Sequence, residues 1–395
     1  MKVLHIIPSL GFLRGGPSQV TIELVKALQS NGLDVEIICT NDNCSQSLDV
    51  PLFQKSTYQG IDVRFFPRIV SPIRAIREYT LSFSLTKWLW ENIKDYDLLH
   101  IHAIFSFTPT ASMIIARIFK IPYVVTCHGL LSEWALEQRS IKKRLYLNLI
   151  EKQNLNSSSC VHYASDKEKK ESLAIKLTSP SFILPFGLNF PITTTRETRT
   201  FRDKLNISEN QPILLFMSRL HPVKGLDFLI KALSTLIDKY SFIFIIAGSG
   251  NPEYEEKIDY KINQFGLSHV TKRVGFIEGT EKNLLLQESD LFLLTSHLES
   301  FGVVVLESMA AGLPVLVTQG VALSQTVQEN DIGYVSELNS NAIAQKIQQF
   351  LDNSQQGKEM GKRGKAFVQQ NYSWDQIALK MISIYKEIIN QQFKS

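Results

Sequence analysis

Short apolar runs alternate with amphipathic stretches along the whole sequence, and this alternation constrains the fold more than any other feature. The runs fall at residues 3–7, 34–40, 62–66, 97–102, 123–127, 160–164 and 182–185, then at 212–218, 242–248, 270–275, 291–295, 314–318 and 332–335. Leu291-Phe292-Leu293-Leu294 is apolar at every position. That pattern fits a parallel strand covered on both faces, not a sheet with one wet side. Strands separated by helical stretches predict parallel sheets clothed in helices. A chain of 395 residues is too long for one ordinary core. The runs form two sets, and residues 185–200 between them hold Pro185, Gly187, Pro191 and several threonines, the composition of a linker. The expected architecture is α/β: two Rossmann-like, doubly wound parallel-sheet domains over residues 1–190 and 191–374, facing a central cleft. An amphipathic helix over 375–395 closes the chain after Tyr372-Ser373-Trp374.

Composition excludes several classes. A hydrophobic fraction of 44% and a charged fraction of 20% suit a soluble globular protein. Net charge is +4, with 21 basic against 16 acidic residues over 1–190 and 21 against 22 beyond. This is too weak for a dedicated nucleic-acid binder and compatible with an anionic ligand or membrane surface. Cys39, Cys44, Cys127 and Cys160 show no zinc spacing and point to a reducing compartment. The first residues read as a strand broken by Pro8, not as a signal peptide. No window of about 18 apolar residues could span a bilayer. The expected location is cytoplasmic, either free or peripheral on the inner face of the plasma membrane.

The chemistry concentrates in Glu299-Ser300-Phe301-Gly302-Val303-Val304-Val305-Leu306-Glu307. It lies between two apolar runs, where α/β folds carry ligand sites. A helix beginning near Gly302 would leave backbone N–H groups for phosphate or hydroxyl oxygens. Glu299 then precedes that helix and Glu307 lies along it. If the stretch were fully helical, the two carboxylates would stand roughly 12 Å apart, about the span from a hexose across a pyrophosphate to a ribose. Carboxylates offer several acceptor sites to sugar hydroxyls.

Four further groups follow strands. Ser218-Arg219-Leu220-His221-Pro222-Val223-Lys224-Gly225 puts two cations before a helix, a suitable diphosphate clamp. Gly11-Phe12-Leu13-Arg14-Gly15-Gly16-Pro17 allows close backbone approach but lacks dinucleotide spacing. So does Gly248-Ser249-Gly250. In Cys127-His128-Gly129, His128 is placed either to meet substrate or to serve as a structural histidine. His100 and His102 share a strand face. They could suggest a metal, but no third ligand lies nearby in the sequence, and a buried, paired role fits them better. Asp95-Tyr96-Asp97 precedes a strand and reads as turn chemistry instead of a metal-binding D-x-D. Residues 64–90 interleave arginines with Phe65, Phe66, Phe83, Trp88 and Trp90, as at a membrane interface or on a helix packed into the core.

Together these motifs resemble the retaining nucleotide-sugar glycosyltransferases of the large "group 1" class, glycosyltransferase family 4, with the GT-B fold. The resemblance covers nearly the whole chain. It rests on Gly15-Gly16-Pro17, Cys127-His128-Gly129, Ser218-Arg219-Leu220 with Lys224-Gly225, Val274-Gly275-Phe276, and Glu299-Ser300-Phe301-Gly302 with Glu307. A narrower likeness at residues 134–151 points to polysaccharide assembly. The resemblance implies that residues 1–190 bind acceptor and 191–374 bind donor, and that the closing helix crosses back to the first domain. It implies transfer of a hexosyl unit from a UDP- or GDP-sugar to a glycan or lipid-linked hydroxyl, with no metal or other cofactor. Arg219 and Lys224 would neutralise the leaving diphosphate, and the Gly15-Gly16 backbone would approach it. Glu299, with Ser300 and the Phe301 and Gly302 amides, would meet the donor sugar. Glu307 would hold the ribose, Phe276 would lie at the base, and His128 would sit near the transferring sugar. The competing readings are a nucleotide-sugar-binding regulator without turnover, an epimerase, and a phosphorylase, for which no pyridoxal phosphate lysine stands out.

Overall fold

The computed structural model describes residues 1–391 apart from 45, 72, 138–139 and 191–199. Most of the linker expected at 185–200 lies outside the described residues. Contacts divide the chain into two units, one of Met1–Gly187 with Trp374–Ser395 and one of Leu188–Ser373.

In the first unit β1 (Lys2–Ser9), β2 (Asp34–Thr40), the short β3 (Asp42–Asn43) and β4 (Gln46–Ser47), β5 (Lys55–Tyr58), β6 (Ile61–Phe66), β7 (Leu98–His102), β8 (Tyr123–Thr126), β9 (Cys160–Tyr163) and β10 (Ser181–Ile183) follow one another. Eight of them form one sheet in the order β10-β9-β8-β7-β1-β2-β6-β5. All its pairings are parallel except β5 with β6. β5 escaped the sequence reading because Lys55-Ser56-Thr57-Tyr58 is a polar edge strand with no apolar run. The closing helix Trp374–Ile389 packs on the helix Gly16–Ser30 and buries Ile377, Met381 and Tyr385. A Cβ on Gly187 would meet the Trp374 ring at 2.5 Å, so glycine is needed there for close approach.

The second unit holds β11 (Ile213–Met217), β12 (Ile243–Ala247), β13 (Thr271–Gly275), β14 (Leu291–Leu294), β15 (Val315–Thr318) and β16 (Gly333–Ser336). They pair in parallel in the order β13-β12-β11-β14-β15-β16. Every residue of β11, β12, β14 and β15 is buried, because helices cover both faces. The strand order reverses between β11 and β14. This is the switch point of a doubly wound sheet, where the loops leaving the two strands diverge and open a crevice.

Candidate functional site

The loops that leave β11 and β14 carry Arg219, Lys224, Glu299, Ser300, Phe301 and Gly302. After β11, Ser218–Leu220 is held against the loop that follows β12. Leu220 N–H donates to the Ser249 carbonyl at 2.9 Å. A Cβ on Gly248 would meet the Ser218 carbonyl oxygen at 2.0 Å, and one on Gly250 the Leu220 oxygen at 2.2 Å. These glycines, which carry no dinucleotide spacing, are there to let the two loops touch. The next turn runs through Pro222–Lys224 to Gly225, whose φ of 60° and contact with the Thr295 carbonyl require glycine. Thr295, at the end of β14, donates to the Gly225 carbonyl at 3.0 Å, and His297 N–H donates to that of Val223 at 2.8 Å. The two loops are thus fastened together.

Glu299 is pinned by its backbone. Its N–H donates to the Gly320 carbonyl at 3.1 Å, and its carbonyl accepts from Ala322 N–H at 2.9 Å. Its side chain pairs with the Lys224 ammonium. Gly302, at φ 89°, precedes the helix Val303–Ala310. A Cβ there would lie 3.2 Å from Glu299 Cγ. Residues 299–302 are therefore not helical, and the helix-rise estimate of the Glu299–Glu307 separation does not apply. The Phe301 ring is buried and faces Tyr372, so only the backbone of Phe301 is offered outward. Glu307 pairs with Lys282 of the helix Gly279–Glu288 at 2.7 Å, a partner the sequence reading missed. Arg219 is exposed and has no ion pair among the described residues. His221 accepts from Val223 N–H at 3.2 Å, and partial burial, then Arg219 and Lys224, lower its pKa. Phe276 follows β13 and is half exposed.

The first unit holds Gly15, Gly16 and His128. Gly15 has φ 82° and precedes the helix Gly16–Ser30. A Cβ on Gly16 would meet nothing within 4 Å, so the packing of this chain does not explain why that residue is glycine. Asp42 steadies the loop. It is fully buried and holds Arg14 at 2.6 Å and Arg68 at its other oxygen. Sequence reading passed over Asp42 because its partners lie 28 and 26 positions away.

His128 and Gly129 both have positive φ, 52° and 76°. For histidine this is a strained conformation of the kind found at functional sites. Glu168 holds the turn by accepting from Gly129 N–H at 2.6 Å and Ala164 N–H at 2.8 Å. Burial raises the pKa of its carboxyl to about 7. His100 and His102 are buried and hydrogen-bonded, but the structure supplies the third ring that their local sequence lacks. His5 of β1 lies beside them, with ligand atoms of all three within 4.8 Å. Asp97, just before β7, accepts from Lys2 N–H at the start of β1 at 2.7 Å, a bond between neighbouring strands and not within a local turn. Residues 64–90 divide between the two readings. Phe65, Phe66, Leu85 and Leu89 are core, whereas Phe83 and Trp90 are 64% and 50% exposed.

Residues 197–387 match the family described as glycosyl transferases group 1, and residues 14–189 match glycosyltransferase family 4. An uncharacterised glycosyltransferase of Methanocaldococcus jannaschii is 28% identical over 381 residues, covering 92% of each chain. The D-inositol 3-phosphate glycosyltransferase of Xylanimonas cellulosilytica is 24% identical over 401 residues, covering 94% of this chain and 92% of that one. Among solved structures, Anabaena HepE in complex with UDP and glucose superposes with a TM-score of 0.78 at 20% identity, covering 98% of this chain and 100% of that one. This likeness identifies the fold as GT-B.

Proposed function

The chain belongs to the group 1 glycosyltransferases of family 4, and we propose that it moves a hexosyl unit from a UDP- or GDP-sugar to a hydroxyl of a glycan or lipid-linked acceptor, with retention and without metal, in cell-surface polysaccharide assembly. The observation that carries this reading is the convergence of Arg219, Lys224 and Glu299 on the loops leaving β11 and β14, at the switch point. Two cations there can take the charge that grows on a departing diphosphate, a task in which preorganised charge needs no metal.

Glu299, Ser300 and the Phe301 and Gly302 amides meet the donor sugar. Glu307, steadied by Lys282, accepts from the ribose hydroxyls, and Phe276 lies against the base. Gly15 and Gly16 offer bare backbone to the donor, and the open space at Gly16 supports this. His128 sits by the transferring sugar. The acceptor hydroxyl attacks the face from which the diphosphate leaves, and the leaving phosphate takes its proton, so no carboxylate nucleophile is required. The UDP and glucose bound by the Anabaena neighbour support a nucleotide-sugar donor. Exposed Phe83 and Trp90 near basic residues support docking on the anionic inner face of the plasma membrane.

The test is an NMR-followed transfer assay with a UDP- and GDP-sugar panel in excess chelator. Transfer that keeps the donor's anomeric configuration supports the reading. Inverted product, or activity that returns only with Mn²⁺ or Mg²⁺, contradicts it.

A further inference from the structure

The hydrogen bonds around His128 belong to an unbroken series through the first unit, and their polarity follows from its far end. His162 Nε2 lies 2.7 Å from the Leu184 carbonyl oxygen. A carbonyl only accepts, so this nitrogen carries the proton. A neutral imidazole has one N–H, so His162 Nδ1 is an acceptor and takes the Thr126 hydroxyl proton at 2.8 Å. The Thr126 oxygen then accepts from His100 Nε2–H at 2.7 Å. His100 Nδ1 in turn accepts from the Tyr385 hydroxyl at 2.5 Å. The Tyr385 oxygen accepts from His5 Nε2–H at 3.3 Å, and His5 Nδ1 accepts from His102 Nε2–H at 3.0 Å. His102 Nδ1 is left as the acceptor for His128 Nε2–H at 3.2 Å. Thr21 also approaches His102 Nδ1, at 3.4 Å, but its proton goes to the Pro17 carbonyl at 2.8 Å.

We infer that this relay fixes His128 as the Nε2–H tautomer with an unprotonated Nδ1, and that Tyr385 of the closing helix is the positioning residue at its centre.

Short of His128, the groups have no solvent alternative. His5, His100 and His102 are fully buried and His162 nearly so, while His128, at the end of the series, is partly exposed. Burial keeps the rings neutral, lowering the pKa of His128 to about 3 and of His162 to about 4. Reversing any one link would set two protons or two lone pairs against each other in a buried site, at the cost of an unmade hydrogen bond. The relay also speaks against a metal among His5, His100 and His102. A metal would need ring lone pairs that already accept from His102, Tyr385 and His128.

The consequence for His128 is chemical. Its Nδ1 accepts from a hydroxyl and cannot donate to a phosphate oxygen. The use of that acceptor in transfer rests on the function proposed above, whereas the tautomer does not.

Long-range ¹H–¹⁵N correlation on ¹⁵N-histidine-labelled protein at neutral pH distinguishes the two tautomers ring by ring. The relay requires the Nε2–H form at all five histidines of the wild type. A dominant Nδ1–H form at any of them overturns it, as does stoichiometric Zn²⁺ binding that shifts His5, His100 and His102 together. In Tyr385→Phe, His162 and His100 stay anchored by Leu184, whereas His5, His102 and His128 lose their fixed sense and show mixed tautomers. Thr21→Val leaves all five unchanged. A purely structural Tyr385 would leave the tautomers of His102 and His128 as they are in Tyr385→Phe, and that result also overturns the inference. Wild-type spectra alone suffice if Tyr385→Phe does not fold. All five Nε2–H forms in a protein without transfer would contradict the proposed function and leave the relay standing.

Discussion

The Lys224 ammonium pairs with the Glu299 carboxylate across 75 residues of sequence, whereas Arg219, five positions before Lys224, has no ion pair among the described residues. The two cations of the proposed clamp thus start from different states. Removing the Glu299 carboxylate frees Lys224 for the diphosphate. Removing Lys224 leaves Glu299 facing it. Glu299→Ala should therefore bind the bare nucleoside diphosphate as tightly as the wild type or several-fold more tightly, while turnover falls on the order of 10²–10³. Lys224→Ala should lose more diphosphate affinity than Arg219→Ala. A Glu299→Ala variant with tenfold weaker diphosphate binding would contradict these roles.

Gly16 separates ligand contact from folding. Among the described residues its Cβ would meet nothing within 4 Å, and alanine is a better helix former than glycine. Gly16→Ala should melt within a few degrees of the wild type, yet lose at least tenfold in kcat/KM for donor. Equal activity in both proteins would show that the donor does not approach this backbone.

Much of the fold was legible because buried parallel strands are continuous apolar runs, as at Leu291–Leu294 and Ile213–Met217. The exceptions have physical causes. β5 at the sheet edge needs no apolar face. The site was legible where chemistry lies in consecutive residues, as around Glu299 and Lys224. Partners brought together by folding were not. Lys282 reaches Glu307 from 25 positions away and Glu168 reaches Gly129 from 39. Tyr385 meets His100 across 285. No spacing rule covers such distances, because sheet register and helix packing decide them.

The histidine cluster predicts acid sensitivity. Burial lowers the pKa of His5, His100, His102, His128 and His162 below 6.5. The unfolded chain therefore takes up protons near pH 6.5 that the folded chain refuses. The cluster's contribution to stability is complete above that pH and falls below it, by up to about 1.4 kcal/mol per pH unit for each ring. Glu168, Glu151 and Glu171 act in the opposite sense, since their raised carboxyl pKa favours the folded state as they protonate. Three carboxyls do not offset five imidazoles. The melting temperature should drop steeply between pH 6.5 and 5, as followed by circular dichroism. A flat profile over that interval would contradict the buried, neutral cluster.

The membrane reading has its own test. Sedimentation with anionic vesicles should exceed that with neutral ones and weaken with salt. Replacing Phe83 and Trp90 by serine should abolish it. Equal recovery on both vesicle types would return residues 64–90 to a packing role alone.

The proposed function requires that a nucleoside diphosphate bind at the strand ends of the second unit, between Arg219 and Glu307. Calorimetric titration of UDP and of GDP into the wild type, Arg219→Ala and Glu307→Ala tests it most directly. One nucleotide should bind the wild type and each variant should weaken it, by about 1–3 kcal/mol for a lost charged hydrogen bond. Wild-type affinity in both variants would contradict it.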